Sequence, residues 1–330
     1  MAVYTQLGAE ALAELIGHFD VGTLTSAKGI AEGVSNSNWF IETTGRDNIG
    51  RDSTGARFIL TMYEYRIDIA ELPFFLGLLD HLAAKNCPVP ATIHDRDGYA
   101  HRMIGDKAVA LIAFLPGVSV SLPTAEQARS VGAALAQIHL AASDFGGSRA
   151  NGMGPQEWQQ LAGACGHDGL TAIDPALAEL IAQQLPALIA RWPDNLPRGV
   201  IHADLFPDNV LMLGGEVTGL IDFYFACTDT LAYDLAVTHA AWCFDATGNS
   251  FDPAISQALI AGYESIRPLL PEERHALPLL ARGAAMRFAL SRAYDWINTP
   301  ADALVTRKDP MAFARRLAFY ADPAHAAVFA

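Results

Sequence analysis

The sequence predicts an α+β chain of two lobes, a small antiparallel β-sheet lobe followed by a larger, mainly helical one. Three observations lead there. Short β-rich runs fill much of the stretch before Leu115, helical spacing of apolar residues dominates after Gly117, and one β-rich island, Gly199 to Phe223, interrupts the helical half. A chain of 330 residues that is 51% hydrophobic can build a separate core for each lobe. Pro116-Gly117 stops an apolar run, so the expected lobes are 1–115 and 116–330.

In chain order, Leu7, Leu12, Leu15 and Ile16 share a helical face opposite Glu10 and Glu14, which predicts an opening helix over 5–18. Asn38 to Thr43 and Arg57 to Tyr63 are β-rich and are separated by the polar, glycine-containing stretch Thr44 to Gly55, the pattern of a hairpin. Ile69 to Ala84 returns to helical spacing, and Val109 to Phe114 reads as a buried strand. Further helices are expected over Ala125 to Ala142, Pro175 to Arg191, Ile255 to Ile266 and Leu277 to Ile297. Within the island, Val210 to Leu213 and Thr218 to Ile221 are short strands joined at Gly214-Gly215.

Lys and Arg total 22 against 36 for Asp and Glu, a formal charge of −14. That balance argues against nucleic acid or an anionic membrane as partner, both of which are bound through excess positive charge. It leaves a nucleotide open, because a few phosphates need only local amides and a metal. Cys87, Cys165, Cys227 and Cys243 are widely spaced and form no CxxC pair, so they read as reduced core thiols. The N-terminal stretch lacks a basic n-region and a continuous apolar core, and no apolar run approaches the roughly 20 residues that span a bilayer. A cytoplasmic location is expected.

The polar residues of Ile201-His202-Ala203-Asp204-Leu205-Phe206-Pro207-Asp208-Asn209 and Gly219-Leu220-Ile221-Asp222-Phe223 interrupt apolar strands at fixed points. Phosphoryl transfer needs a carboxylate beside the attacking hydroxyl and oxygen ligands for a divalent metal on the nucleotide phosphates. A strand, a turn and a second strand fold Asp204, Asn209 and Asp222 onto one edge. This is the H-x-D-x-x-x-x-N and D-F-x logic of protein kinases, which makes the predicted architecture protein-kinase-like. Asp204 is the expected catalytic residue, and Asn209 and Asp222 the expected Mg²⁺ ligands. His202 reads as a scaffold whose ring bonds nearby backbone, and Asp208 as a supporting carboxylate or a turn residue. Singly these are ordinary turn residues; only the joint spacing is informative.

Upstream, the stretch Lys28 to Asn38 lies just before a strand and reads as a phosphate-cradling loop. Gly29 and Gly33 permit close backbone approach, and Ser35, Asn36 and Asn38 offer donors to ATP phosphates.

With these motifs in view, the chain resembles the aminoglycoside-phosphotransferase-like kinases. The strings KGIAEGVSNSNWF, ELPFFLGLLDHLA, GVIHADLFPDNV and GLIDFYFACTDTLAYDLA resemble the bacterial homoserine kinase branch. The resemblance covers nearly the whole chain. It implies transfer of the ATP γ-phosphoryl group to L-homoserine, a step of threonine biosynthesis, with Val109 to Leu115 supplying backbone groups to adenine. One departure stands out: where such kinases present a strand lysine, this chain reads Phe58-Ile59-Leu60-Thr61-Met62-Tyr63-Glu64. Thr61 takes the lysine's place, Lys28 or Arg66 is left to supply charge, and Glu64 and Glu71 are candidates for the glutamate partner. The alternatives are a kinase for another small alcohol (choline, methylthioribose or an aminoglycoside), a module that holds ATP without transfer, and a metal-dependent phosphohydrolase. Arg282, Arg287 and Arg292 are candidates for a substrate carboxylate, and Tyr224, Phe225 and Trp242 for pocket walls. His139 reads as a satisfied interior histidine, and Asp234 as a cap or brace of the helix that follows.

Overall fold

The computed structural model describes residues 7–30, 36–45, 55–64, 67–299 and 307–329, so Gly33, Ser35 and Arg66 lie outside the described residues. It divides into two compact units, Met1–Pro116 and Gly117–Ala330. The elements are mixed helix and antiparallel strand, the α+β class the sequence predicts.

In the first unit, helix α1 (Ala9–Ile16) precedes strands β1 (Leu24–Ile30), β2 (Asn36–Thr43) and β3 (Ala56–Tyr63). Helix α2 (Leu72–Ala84) and strands β4 (Thr92–Ile93), β5 (Arg102–Ile104) and β6 (Lys107–Ala113) follow. The sheet order is β1-β2-β3-β6-β4, with β5 also paired to β6, and every pairing is antiparallel. Register sets the core: Trp39 lies opposite Leu60, which lies opposite Leu111, and Ile41 lies opposite Phe58. Because side chains alternate across a strand, these residues share one face, and they pack with Leu12, Leu15 and Ile16 of α1.

The sequence did not announce β1. The stretch Lys28 to Asn38 is not one loop: Lys28 and Gly29 lie on β1, opposite Phe40 and Trp39, while Asn36 and Asn38 lie on β2. Nor does all of Val109 to Leu115 offer free backbone. β6 is flanked by β3 on one side and by β4 and β5 on the other, and the Phe114 amide donates to the Arg57 carbonyl at 3.3 Å.

The second unit contains α3 (Ala125–Ala141), α4 (Pro155–Ile173) and α5 (Pro175–Arg191). Next come β7 (Arg198–Ile201), β8 (Val210–Leu213), β9 (Glu216–Leu220) and β10 (Cys227–Thr230). Helices α6 (Leu231–Trp242), α7 (Pro253–Glu264), α8 (Pro271–Asn298) and α9 (Met311–Ala321) complete it. β7 pairs with β10 and β8 with β9, forming two small ribbons among the helices. Gly166 breaks α4 with a positive φ of 67°. α3 and α7 cross closely: a Cβ on Gly132 would lie 2.0 Å from the Leu259 carbonyl oxygen, and one on Gly262 would lie 2.0 Å from that of Arg129. Every residue of α6 is buried, the state expected of a helix without a polar face. Its polar side chains therefore need partners inside the protein.

Candidate active site

The segment from Ile201 to Asn209 leaves β7 and returns as β8 through a sharp turn. Ala203 adopts a left-handed conformation, φ 64°, which costs an alanine about 1 kcal/mol or more and needs support from its surroundings. That conformation presents two successive amides to one carboxylate. Asp234, buried in α6, accepts from the His202 amide at 2.6 Å and from the Ala203 amide at 2.7 Å. Its Oδ2 also accepts from His139 Nε2 at 3.0 Å. Burial alone would raise the Asp234 carboxyl's pKa, but His139 and the two amides hold it below the usual carboxylate value.

The rest of the loop is pinned as fully. Arg287 of α8, almost wholly buried, donates from Nη1 to the Ala203 carbonyl. Trp242 donates from Nε1 to the Leu205 carbonyl at 2.9 Å. His202 Nδ1 accepts from the Asp204 amide at 3.2 Å while Nε2, 3.0 Å from the Ile221 carbonyl, carries the proton. Burial lowers the His202 pKa, in keeping with this neutral ring. The ring fastens the segment before Asp222 to the one before Asp204.

Asn209 joins the pieces. Its Nδ2 donates to the Asp204 carbonyl at 2.7 Å and to Asp204 Oδ2 at 3.2 Å, and its own carbonyl accepts from the Ile221 amide at 3.0 Å. With Nδ2 committed, Oδ1 is its acceptor atom. Asp222 follows β9 in a left-handed conformation, φ 65°, with no capping bond from its side chain. The structure thus brings Asp204, Asn209 and Asp222 together. Burial pushes the Asp204 carboxyl up to about 7, Asp222 adding to the rise and Arg287 opposing it. The Asp222 carboxyl, though well exposed, is pushed up to about 6 by the surrounding protein and by Asp208. Two carboxylates held this way favour a cation. Asp208 itself points outward, 3.8 Å from Lys308 Nζ, and is two-thirds exposed.

Of the expected phosphate-binding residues, Gly29, Asn36 and Asn38 lie in the first unit. Gly29 is exposed on β1 and Asn36 is buried on β2 with its Oδ1 unpartnered. Asn38 Oδ1 accepts from Thr61 Oγ1 at 2.9 Å, so Thr61 is tied to a neighbouring strand. Glu64 is buried in an ion pair with Lys107 and accepts from Ser37 at 2.7 Å. Lys107 was not singled out in the sequence, and only the pairing of β3 with β6 brings it to Glu64. Asp234 is not a cap: it sits in the first turn of α6 and braces the loop before Asp204 instead. Its signal was a carboxylate in the otherwise apolar run LAYDLAV.

The family model described as "Phosphotransferase enzyme family" matches residues 26–269. A homoserine kinase of Gluconacetobacter diazotrophicus is 51% identical over 322 residues, covering 97% of each chain. One of Gluconobacter oxydans is 49% identical, covering 98% of this chain and all of its own. Among solved structures, an amicoumacin kinase in complex with AMP-PNP, Ca²⁺ and Ami superposes with a TM-score of 0.69 at 14% identity, over 94% of this chain and 92% of its own. A choline kinase from Cryptosporidium parvum superposes with a TM-score of 0.65 at 14% identity, over 95% and 94%. The last two speak to fold alone, which is that of the protein-kinase-like phosphotransferases. On the match of the family model and the near full-length identity, the chain belongs to the phosphotransferase enzyme family and, within it, to the homoserine kinases.

Proposed function

We propose that this protein transfers the γ-phosphoryl group of ATP to the side-chain hydroxyl of L-homoserine, giving O-phospho-L-homoserine and ADP, in the cytoplasm. The observation that carries the chemistry is the junction of Asp204, Asn209 and Asp222, locked to one another through Asn209 Nδ2 and the Ile221 peptide. The substrate rests on relatives 49–51% identical over nearly the whole chain. Among the described residues no helix is long and apolar enough to cross a membrane, and all four cysteines are free and buried, which fits a reducing compartment.

In this reading the homoserine hydroxyl lies against the Asp204 carboxylate. The bond between the γ-phosphorus and its bridging oxygen breaks, a bond from the hydroxyl oxygen forms, and Asp204 orients or takes the departing proton. The Asp222 carboxylate and Asn209 Oδ1 would hold Mg²⁺, a hard cation suited to oxygen donors. When bound, the ion neutralises charge on the phosphate oxygens. Among the described residues no group of three or more His, Cys, Asp or Glu gathers as for a metal, so phosphate oxygens and water would complete its shell. Such a site suits a nucleotide-dependent kinase better than a two-metal phosphohydrolase. Gly29, Gly33, Ser35, Asn36 and Asn38 are proposed to line the phosphate side of ATP, Gly29 through its backbone and Asn38 through Nδ2.

An ADP-release assay with Mg²⁺-ATP and a panel of L-homoserine, L-serine, choline, methylthioribose and kanamycin tests the proposal. Turnover confined to homoserine is expected. Turnover of another alcohol with homoserine ignored would discard the substrate and keep the mechanism, and silence throughout would discard both.

A further inference from the structure

A homoserine molecule carries its carboxylate only a few bonds from the hydroxyl that is phosphorylated. That carboxylate must settle near Asp204 in an acidic protein of net charge −14, beside Asp208 and Asp222. Without a local cation it would be repelled. The cations of the second unit near this point are nearly all spoken for. Arg287 donates to the Ala203 carbonyl and lies over the rings of Phe225 and Phe288, at 5.3 and 4.6 Å. Lys308 faces Asp208, and Arg315 faces Asp309 at 3.7 Å. Arg316 donates to the Asp245 and Ala312 carbonyls, and Arg307 to that of Trp296.

Arg292 differs. It stands one turn along α8 from Phe288, hence on the same face. Phe288, Phe206 and Phe313 form a ring cluster with centroids 4.9 to 5.9 Å apart, and Phe206 lies two residues after Asp204. The Arg292 guanidinium lies over the Phe313 ring at 4.5 Å. Among the described residues its polar partner is a main-chain carbonyl, that of Asp309, which accepts from Nη1 at 3.2 Å. No described carboxylate pairs with it, although the fields of Asp204, Asp309 and Asp208 reach it. A half-buried guanidinium with no carboxylate beside it keeps a charge that a bound anion can balance. The flat fork, stacked on one face and open to further donation, matches a carboxylate.

We propose that Arg292 is the specificity residue that grips the substrate's α-carboxylate, so that the acceptor site takes hydroxy amino acids and rejects amino alcohols. This rests on the homoserine reading. It also separates Arg292 from Arg287, whose bond to Ala203 makes it a positioning residue.

The test compares L-homoserine with 3-amino-1-propanol, the same molecule without its carboxylate, in the unaltered protein and in Arg292→Gln and Arg292→Lys. Loss of a charged partner to a carboxylate raises KM for homoserine on the order of 100-fold in Arg292→Gln. KM for ATP and the weak turnover of 3-amino-1-propanol stay within about 3-fold, and Arg292→Lys recovers part of the loss. An unchanged KM for homoserine, an equal loss on both substrates, or a rise in KM for ATP overturns the inference alone. Should Arg292→Gln fail to fold, Arg292→Lys carries the test: a KM increase confined to homoserine supports the assignment and equal loss on both substrates sinks it. If the unaltered protein ignores homoserine and turns over another alcohol, the homoserine reading falls and this inference with it.

Discussion

Two polar constellations in this molecule are built on opposite plans. In the loop that carries Asp204, amides and carbonyls are held by helices of the second unit: the Ala203 carbonyl meets Arg287, 84 residues on, and the Ala203 amide meets Asp234, 31 residues on. In the sheet, Thr61 donates to Asn38 Oδ1 directly across paired strands. The loop's strained shape is imposed by the helices behind it, whereas the strand pair follows from register. Damage should therefore spread from the first and stay local in the second.

The largest effect is expected at the proposed catalytic carboxylate. Asp204→Ala removes the group proposed to orient the hydroxyl, and kcat should fall by about 10²- to 10⁴-fold. The fold should persist, because the loop's braces run through Asp234, Arg287 and Trp242. Steady-state kinetics beside a thermal melt checks both halves of this expectation. Near-normal turnover would remove Asp204 from the mechanism.

Asp234→Ala should act on stability and activity together. It strips partners from two buried amides and from His139, at a cost of about 2–4 kcal/mol. It also frees Ala203 to leave its left-handed conformation. A denaturant midpoint lowered accordingly, with kcat reduced in the protein that remains folded, is the expected pair of results. A lowered midpoint with unchanged kcat would show that the brace serves the fold and not the loop.

What the sequence revealed follows the same division. Asp204, Asn209 and Asp222 were legible because a short loop and one hairpin hold them together, so spacing alone carried the geometry. The role of Asp234 was not, because it depends on α6 passing behind the loop. α6 itself is buried all round and so lacks the periodicity that marks an amphipathic helix. β1 was missed for the opposite reason: it is an edge strand whose residues Thr25 to Gly29 are all exposed, leaving no alternating apolar pattern. The stretch expected as a phosphate loop was drawn too long, because Asn36 and Asn38 pair with Tyr63 and Thr61 as strand residues.

Protonation sharpens the comparison, since burial of Asp204 has no counterpart in the uncharged strand pair. In the folded protein this carboxyl holds its proton up to about 7, against an ordinary value of 3.8. The folded state therefore binds the extra proton between those values. The resulting stabilisation is fully present below the unfolded value and is lost as pH rises through 7. Asp204→Asn carries no such charge, so its stability advantage over the unaltered protein should grow from pH 5 to pH 8, reaching about 1–3 kcal/mol. Melts of nucleotide-free protein at several pH values measure it. An advantage independent of pH would mean that the carboxyl is ionised throughout.

The smallest effect is expected at Thr61. Valine has nearly the same shape but no hydroxyl, so Thr61→Val leaves the Asn38 Oδ1 without its donor and should cost about 1 kcal/mol. Thr61→Lys tests the position more severely. Thr61 is only 3% exposed and lies opposite Ala110 on β6. A lysine there would displace the Asn38 contact and bury its charge, while the nearby glutamate is already paired with Lys107. The lysine expected at this position from the resemblance should therefore destabilise the sheet more than the valine does, without raising turnover. A Thr61→Lys variant that gained activity would show instead that the strand pair is a defect of this site and not its design.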